Sequence, residues 1–375
     1  MMRDVFIIAD NIISPLGSTA ADNFTKLSAA VSGIRRHDGS ALSHQPFYAS
    51  LFDAYQATGY NVNGHTKFEQ LLIDSVSGAL QQCRVNPADA KTVLIISSTK
   101  GNISLLEDPG MHPAEKLSLH HSAKSVARYC KFVNEPIVLS NACISGLLGM
   151  ITGMRLIQAG LYEHAVVAGA DVVSKFILSG FQSFQAVSDE PCKPFDESRK
   201  GINLGEAAGT VILSANPEYD NGIRLTGGSV SNDANHISGP SRTGEELCQA
   251  ISKAMADADV AAGDIGFISA HGTATLYNDE MEAKAFTMAG LQSVPINSLK
   301  GYYGHTLGAA GLIESVISIH SLRNGVIIPT KGFSKPGVSE PVNICSELKE
   351  FASQNCLKTA SGFGGCNAAV IISKN

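Results

Sequence analysis

Short apolar runs that alternate with helical patterns constrain the fold of this 375-residue chain more than any other feature. The predicted strands are residues 5–8, 93–97, 137–139, 165–168, 208–213, 265–269 and 369–372. The predicted helices are residues 69–82, 117–132, 145–159, 245–258, 279–288 and 309–323. Strands that alternate with helices of about 10 to 15 residues are typical of an α/β fold, and we expect mainly parallel pairing.

Composition excludes several classes of protein. Only 17% of the residues are charged, against about 25% in an average soluble protein, so most of the chain should be buried or lie at an interface. The net charge of −6 argues against a nucleic-acid partner. No apolar stretch approaches the length of about 18 residues that a membrane helix needs, and Asp10 interrupts the first apolar run, so we expect a cytoplasmic protein without a membrane span. The eight cysteines show no C-x-x-C pair and no zinc spacing, which predicts no metal site.

The clearest break in the pattern is the polar segment SANPEYDNG at residues 214–222. Each side of it carries its own series of strands and helices. We therefore predict two similar halves, residues 1–215 and 216–375, packed into one integrated unit.

Cys143 lies where the predicted strand at 137–139 is followed by the helix at 145–159. A helix N-terminus offers unpaired N–H groups and the positive end of the helix dipole, which favour a thiolate and make the thiol a better nucleophile. A lone cysteine in such a place is more often a small buried hydrophobe. The nucleophile hypothesis for Cys143 therefore depends on the residues that accompany it.

Two histidines stand in glycine-rich segments of the second half. His271 directly follows the predicted strand at 265–269, at the sheet edge where ligands of parallel α/β sheets gather. His305 lies in a loop that leads into the helix at 309–323. Two neutral imidazoles that each donate an N–H to one carbonyl oxygen can stabilise the enolate formed when a malonyl thioester loses carbon dioxide. Lys300 would oppose protonation of His305 by charge repulsion, and Cys143 would hold an acyl group as a thioester.

At these residues the sequence resembles the β-ketoacyl synthases, the condensing enzymes of fatty-acid and polyketide assembly within the thiolase superfamily. The matching segments occur in order along the chain: NACISG around Cys143, PFDESRKGINLGEAAG at 194–209, HGTAT at 271–275, SLKGYYGHTLGAAG at 298–311 and SGFGGCNAA at 361–369. The pair of histidine segments favours the Cys-His-His type over the starter-type Cys-His-Asn enzymes. The resemblance implies a thiolase-like five-layered αβαβα fold of two similar halves, active as a homodimer or with a homologous subunit.

The resemblance also implies roles for single residues. Cys143 is the implied nucleophile, His271 and His305 promote decarboxylation, and Lys300 with Glu314 is the supporting charged pair. The remaining implied roles are the gate and oxyanion N–H of Phe363 and the phosphopantetheine contacts of Thr273 and Thr275. Acyl carrier proteins are acidic, so a local basic patch would attract them, and Arg199, which lies inside a matched segment, is the candidate for that carrier-protein contact. The substrate brings its own phosphopantetheine, so no bound cofactor is expected.

Three positions depart from the family pattern. Ile144 follows the nucleophile where a small residue is usual, Ser361 stands where Phe is frequent, and Ala274 replaces Gly or Ser. Ile144 predicts a differently shaped acyl pocket, whereas Ala274 should have no effect. The departures bear on the acyl substrate more than on the reaction.

The implied function is decarboxylative condensation of an acyl group on Cys143 with malonyl-acyl carrier protein, giving a β-ketoacyl-acyl carrier protein in fatty-acid, polyketide or aryl-polyene-type biosynthesis. The alternative from another class is a non-catalytic partner subunit, like a chain-length factor, that shapes the pocket of another synthase. A third interpretation, a Cys-His hydrolase, predicts release of free acid with no need for a malonyl thioester.

Overall fold

The alternating pattern builds two twisted sheets with helices between and outside them. The computed structural model describes residues 3–53, 64–107, 113–234 and 239–375. The strands are β1 (Phe6–Ile13), β2 (Arg35–His37), β3 (Phe47–Ser50), β4 (Thr92–Ser97), β5 (Ile137–Leu139), β6 (His164–Asp171), β7 (Leu204–Gly205), β8 (Ala207–Ser214), β9 (Ile223–Asn232), β10 (Ile265–Ser269), β11 (Ile296–Asn297), β12 (Val326–Ile327), β13 (Lys349–Glu350), β14 (Asn355–Gly362) and β15 (Cys366–Lys374). The α-helices are α1 (Ala20–Ser28), α2 (Lys67–Leu80), α3 (Leu119–Tyr129), α4 (Ser145–Gln158), α5 (Lys175–Ser183), α6 (Glu245–Asp257), α7 (Leu276–Met288), α8 (Lys300–Tyr303) and α9 (Ala310–Asn324).

The two large sheets repeat one topology. The first has the strand order β5-β4-β6-β8-β1 and the second has the order β11-β10-β14-β15-β9. When the strands of each sheet are counted along the chain, both orders are 3-2-4-5-1. The sheets meet where Phe6 of β1 pairs with Arg224 of β9. The described chain thus contains the same five-stranded arrangement twice.

The expectation of mainly parallel pairing was wrong. Of the nine pairings along the two large sheets, four are parallel and five are antiparallel. In each sheet the first two neighbours in the strand order above pair parallel, and the last two pair antiparallel. A strand buried on both faces is apolar throughout in either direction, so its sequence does not show the direction of its partner.

The helices that pack on the two faces of each sheet define the layers of the fold. α2 and α3 pack on the outer face of the first sheet, and α6 and α7 pack on the outer face of the second. α4 and α9 lie between the sheets in one shared core. The order is helix, sheet, helix, sheet, helix, which confirms the predicted five-layered αβαβα architecture. Every residue of α9 from Ala310 to Ile319 is buried, as expected of a helix in the central layer.

The two central helices touch through glycine. A Cβ at Gly146 of α4 would lie 2.8 Å from the backbone nitrogen of Leu312, and a Cβ at Gly311 of α9 would lie 2.8 Å from Cγ of Leu147. Each helix therefore presents a glycine to the other at their crossing. This close approach joins the helix that follows Cys143 to the helix that follows His305.

The predicted elements are found, with differences at their ends. All seven predicted strands lie within or overlap observed strands, and 137–139 and 265–269 match β5 and β10 in both bounds. The six predicted helices correspond to α2, α3, α4, α6, α7 and α9. The pattern did not predict α1, α5 or α8, or the strands β2, β3, β7, β9, β11, β12, β13 and β14. Of these strands, the long β9 and β14 carry glycine and polar residues. In the described part of the chain, no helix has the length and apolar character needed to cross a bilayer. The division into residues 1–215 and 216–375 remains a prediction.

Candidate active site

Cys143 lies in the turn between β5 and α4. The residue before it, Ala142, has φ of +43°, in the left-handed region that L-residues rarely adopt. The hydroxyl of Ser145 stabilises this turn, because it accepts a hydrogen bond from the Asn141 N–H (2.8 Å) and donates one to the Ala142 carbonyl (2.7 Å). The helix is capped at Ile144. Cys143 therefore lies immediately before the N-cap residue of α4, at the junction of strand and helix that the sequence predicted.

The turn between β14 and β15 covers the cysteine. The backbone N–H of Phe363 lies near the Cys143 thiol and acts to lower the pKa of that thiol. A Cβ at Gly362 would lie 2.9 Å from the Cys143 nitrogen, so only glycine lets the two turns approach this closely. The Phe363 ring is 40% exposed and contacts Phe181 of α5 and Phe184, which directly follows that helix, with ring centroids 5.8 Å and 5.6 Å away. A backbone donor thus lies close to the sulfur, beside an exposed aromatic ring.

His271 follows the carboxyl end of β10 and is 1% exposed. Its backbone N–H donates to Oε1 of Glu282 (2.8 Å), and the Gly272 N–H donates to Oε2 (2.6 Å). Glu282 belongs to α7 and accepts a further hydrogen bond from Asn278 Nδ2 (2.9 Å). One buried carboxylate therefore holds the backbone that carries this imidazole. Among the described residues, Nδ1 of His271 has no hydrogen-bond partner.

His305 comes from the loop between α8 and α9 and is 3% exposed. Its backbone N–H donates to the carbonyl of Asn203 (2.6 Å), and its own carbonyl accepts from the Gly205 N–H (3.1 Å). Nδ1 of the ring accepts a hydrogen bond from the Leu307 N–H (3.1 Å). Because Nδ1 is an acceptor, a neutral His305 carries its proton on Nε2, and Nε2 is therefore the atom that can donate a hydrogen bond.

The three side chains meet in one place. One side-chain atom of each, the sulfur of Cys143 and a ring nitrogen of His271 and of His305, lies within 4.8 Å of the others. The imidazole rings are nearly perpendicular, with centroids 5.1 Å apart and an interplanar angle of 82°. Cys143 follows a strand of the first sheet, and both histidines come from the second half of the chain, so the two halves form this cluster together.

A buried ionic network lies behind the histidines. Nζ of Lys300 donates to the carbonyl of His271 (3.0 Å) and pairs with Oε1 of Glu314. Nζ of Lys358 lies 2.7 Å from Oε2 of the same carboxylate. Burial lowers the pKa of His271 and of His305 well below 6.5, and repulsion from Lys300 and Lys358 lowers both further. Both imidazoles are therefore neutral at physiological pH.

Two family descriptions match this chain. The description "Beta-ketoacyl synthase, N-terminal domain" matches residues 2–218, which is more than half of the chain, and "Beta-ketoacyl synthase, C-terminal domain" matches residues 224–334. The chain belongs to the β-ketoacyl synthase family. Its fold is accordingly the thiolase-like fold of these enzymes.

Individual proteins resemble this synthase over their whole length. The 3-oxoacyl-[acyl-carrier-protein] synthase 2 of Vibrio cholerae serotype O1 is 28% identical, with 99% of each chain covered. The ishigamide ketosynthase/chain length factor structure is 24% identical with a TM-score of 0.91, and all of both chains is covered. A type II polyketide synthase acyl-carrier protein in complex with its ketosynthase bound to the hexaketide gives 21% identity and a TM-score of 0.89, again over all of both chains. The two structures support the fold.

The thiol of this synthase is held in its neutral form. Burial raises the pKa of Cys143 to about 12; proximity to Cys366 adds to the rise, whereas Lys300 and the Phe363 N–H oppose it. The expectation that the helix N-terminus would favour a thiolate is therefore outweighed by burial. The thiol proton must pass to an acceptor as sulfur attacks.

Thr273 and Thr275 lie on the loop after His271. Their hydroxyl oxygens are 2.9 Å apart, and the Thr275 hydroxyl caps α7 by accepting from the Asn278 N–H (3.4 Å). Thr273 is 7% exposed and Thr275 is half-buried. Between them, Ala274 has φ of +62°, which explains why glycine suits this position. Both hydroxyls thus lie on the loop that joins His271 to α7.

Arg199 lies in a different setting from the surface contact that the sequence suggested. It is 7% exposed, and its guanidinium donates to the carbonyls of Thr275, Leu276, Asp196 and Gly337. A side chain occupied in this way holds the loop after His271. We therefore assign Arg199 a positioning role and leave it out of the proposed carrier-protein surface.

Sequence reasoning missed three buried charged residues around the site. Glu282 and Lys358 were described above, and the carboxylate of Asp171 accepts from the Gly308 N–H (2.7 Å) and from the Thr99 N–H (3.2 Å). Asp171 ends an apolar strand, which was a usable signal, because polar residues at carboxyl ends of strands gather at the ligand edge of the sheet. Ile144, the departure next to the nucleophile, is 1% exposed and packs in the central core.

Proposed function

We propose that this β-ketoacyl synthase accepts an acyl group on Cys143 and condenses it with malonyl-acyl carrier protein, giving a β-ketoacyl-acyl carrier protein and carbon dioxide. The observation that supports this most is the meeting of one thiol and two neutral imidazoles within 4.8 Å, assembled from both halves. A Cys-His hydrolase needs one histidine that acts as a base, and a second neutral imidazole would have no task there.

In the first step, the sulfur of Cys143 attacks the carbonyl carbon of an acyl thioester. A new C–S bond forms, the bond to the pantetheine sulfur breaks, and the thiol proton passes to that leaving sulfur. The Phe363 N–H, which lies near the Cys143 sulfur, would donate to the developing oxyanion together with the N–H of Cys143.

In the second step, the malonyl C–CO₂ bond breaks and its electron pair forms an enolate. Its oxygen accepts N–H hydrogen bonds from His271 and His305, and His305 has its donor proton on Nε2. The enolate carbon then attacks the thioester carbonyl, so that a C–C bond forms and the C–S bond to Cys143 breaks. The sulfur leaves as a thiolate and takes a proton, which restores the thiol.

The partners are part of this proposal. We propose an acyl carrier protein as the bearer of both substrates, through the phosphopantetheine arm that Thr273 and Thr275 would contact. We also propose assembly as a homodimer or with a homologous subunit, since the similar ishigamide structure is described as a ketosynthase/chain length factor. The reaction as written needs no cofactor or metal held by the chain. A cytoplasmic location is consistent with eight cysteines that are free thiols.

A non-catalytic partner role is less favoured. A subunit that only shapes the pocket of another synthase has no need of a nucleophile, yet Cys143 is present beside a backbone donor and both histidines. The presence of the complete cluster favours the condensing role.

The test is intact-protein mass spectrometry after incubation with acyl-acyl carrier protein. We expect an acyl adduct on the wild-type protein, its loss in Cys143→Ala, and its retention in the matched control Cys83→Ala, which removes a half-buried thiol far from the site in sequence. Cys143→Gln should still decarboxylate malonyl-acyl carrier protein, because both histidines remain. Condensation by Cys143→Ala would overturn the proposed role of Cys143, and loss of decarboxylation in Cys143→Gln would overturn that of the histidines.

A further inference from the structure

Lys358 is a second buried lysine behind the histidines, outside every segment that carries the family resemblance. It is 0% exposed on β14, and its Nζ donates to the carbonyls of Ser269 (3.1 Å) and Ala270 (3.0 Å). Lys300 donates to the next carbonyl, that of His271. Two ammonium groups therefore bind three successive carbonyls at the end of β10, directly before and at the catalytic histidine.

Glu314 of α9 connects the two lysines. One carboxylate oxygen pairs with Lys300 and the other lies 2.7 Å from Lys358. We call Lys300, Glu314 and Lys358 the ionic triad. With two ammonium groups and one carboxylate its net charge is +1, and it lies in a buried region where charges act strongly on neighbouring groups.

We infer that Lys358 is a positioning residue of this synthase: it holds the end of β10 that carries His271, and its charge keeps the triad positive so that both imidazoles stay neutral. Lys358 adds to the repulsion that disfavours protonation of His271 and His305. Without it, Glu314 would cancel the charge of Lys300, and a protonated imidazole would be opposed mainly by burial. The inference rests on the proposed function, because it concerns the protonation state that decarboxylation requires.

Other titratable groups face this region and stay unchanged in the comparison below. They are Glu282 of α7, Asp171 of β6, Cys356 of β14, Tyr303 of α8 and Cys143. Each is the same in every variant, so a difference between variants reports the charge of the triad.

The experiment measures the pH dependence of malonyl-acyl carrier protein decarboxylation between pH 5 and 8.5. Lys358→Met leaves a triad of net charge 0, and we expect the acidic limb of its pH profile to lie higher than that of the wild type by about one pH unit. The matched control is Lys374→Met, which removes a partly buried lysine that donates to the carbonyls of Leu322 and Arg323 at the other end of α9. Its acidic limb should coincide with that of the wild type.

Two further variants keep the test independent of how well Lys358→Met folds. Glu314→Gln leaves a net charge of +2, and Lys358→Met combined with Glu314→Gln restores +1. The expected order of the acidic limbs, from highest to lowest pH, is Lys358→Met, then the wild type together with the double variant, then Glu314→Gln. If Lys358→Met does not fold, the comparison of the double variant with Glu314→Gln isolates the charge of Lys358, and the double variant should lie higher.

A merely structural lysine predicts a different result. It would lower thermal stability and overall rate in Lys358→Met, further in the double variant, and move no acidic limb. If the wild type decarboxylates normally and the acidic limbs of all the variants coincide with its own, the inference is overturned and the proposed function stands. A wild type without decarboxylation at any pH would overturn the proposed function and this inference with it.

Discussion

Gly146→Ala tests whether the crossing of the central helices sets the geometry of the site. A Cβ there would lie 2.8 Å from the Leu312 nitrogen, 2.9 Å from the Leu312 Cβ and 3.0 Å from the Gly308 carbonyl oxygen. Two of these atoms are backbone, which cannot rotate away as a side chain can. Gly146 follows Cys143 by three residues, and Gly308 follows His305 by three. Any separation of the helices therefore moves the nucleophile relative to that histidine.

Two opposing effects decide whether Gly146→Ala raises or lowers the free energy of unfolding. Alanine in a helix interior is favoured over glycine by about 1 kcal/mol. Inserting a methyl group into a tightly packed core destabilises by about 1–3 kcal/mol, and three contacts of 3.0 Å or less place this site toward the upper end of that range. We expect a net destabilisation of about 1–2 kcal/mol. Since a misplacement of about 1 Å can lower a rate about 100-fold, a shift of a few tenths of an ångström should slow condensation roughly threefold to tenfold.

The measurements are thermal unfolding, the rate of condensation and the rate of malonyl decarboxylation. Gly180→Ala in α5 is the matched control, because a Cβ there meets nothing within 4 Å and only the gain in helix propensity should appear. Gly146→Ala should unfold at a lower temperature than both other proteins, and its condensation should slow more than its decarboxylation, which uses only the histidines. A Gly146→Ala variant that is as stable as Gly180→Ala and condenses at the wild-type rate would refute the reasoning.

Three further predictions concern single residues. Ala274→Gly should stabilise the protein by about 0.5–1 kcal/mol, because φ of +62° strains alanine, and an unchanged urea midpoint would contradict this. Glu282→Gln should destabilise the protein by about 1–3 kcal/mol and lower the rate of condensation, because the carboxylate accepts hydrogen bonds from the backbone N–H groups of His271 and Gly272. Glu245→Gln on the exposed start of α6 should do neither. Equal effects of the two substitutions would argue against the role of Glu282 in holding His271. With the pKa of Cys143 raised to about 12, the thiolate fraction grows with pH, so alkylation by iodoacetamide should accelerate about tenfold per pH unit from pH 7 to 10; a plateau below pH 9 would disprove the raised pKa.

The fold was predictable to the extent that burial leaves a local pattern. β5 and β10 are short, apolar and bounded by turn residues, so their limits could be predicted without the structure. β9, with the sequence IRLTGGSVSN, and β14, with NCLKTASG, contain glycine and polar residues and take their strand conformation from pairing with β15. Pairing over long sequence separation is tertiary information, which overrides weak local propensity.

The same distinction between local and long-range information applies to the residues of the site. The residues that would touch substrate stand in recognisable segments, whereas the residues that hold them are distant in sequence. Glu282 acts on His271 from a helix and Lys358 from another strand, and neither has a local signal that separates it from a surface charge. Arg199 shows the opposite error. A basic residue within a matched segment was expected at the surface, but four backbone carbonyls that need donors hold it inside.

The buried charges also determine which experiments are informative. Lys300, Glu314 and Lys358 are each 2% exposed or less, so the three charges of the ionic triad interact in a region that water does not reach. Breaking a buried pair by removing one partner typically destabilises by about 3–5 kcal/mol, because an uncompensated charge remains. A single substitution in the ionic triad therefore mixes loss of stability with loss of chemistry. The double change Lys358→Met with Glu314→Gln leaves Lys300 without its carboxylate partner and should also lose stability. It restores the wild-type net charge of +1, so the position of its acidic limb reports the field at the histidines independently of that loss.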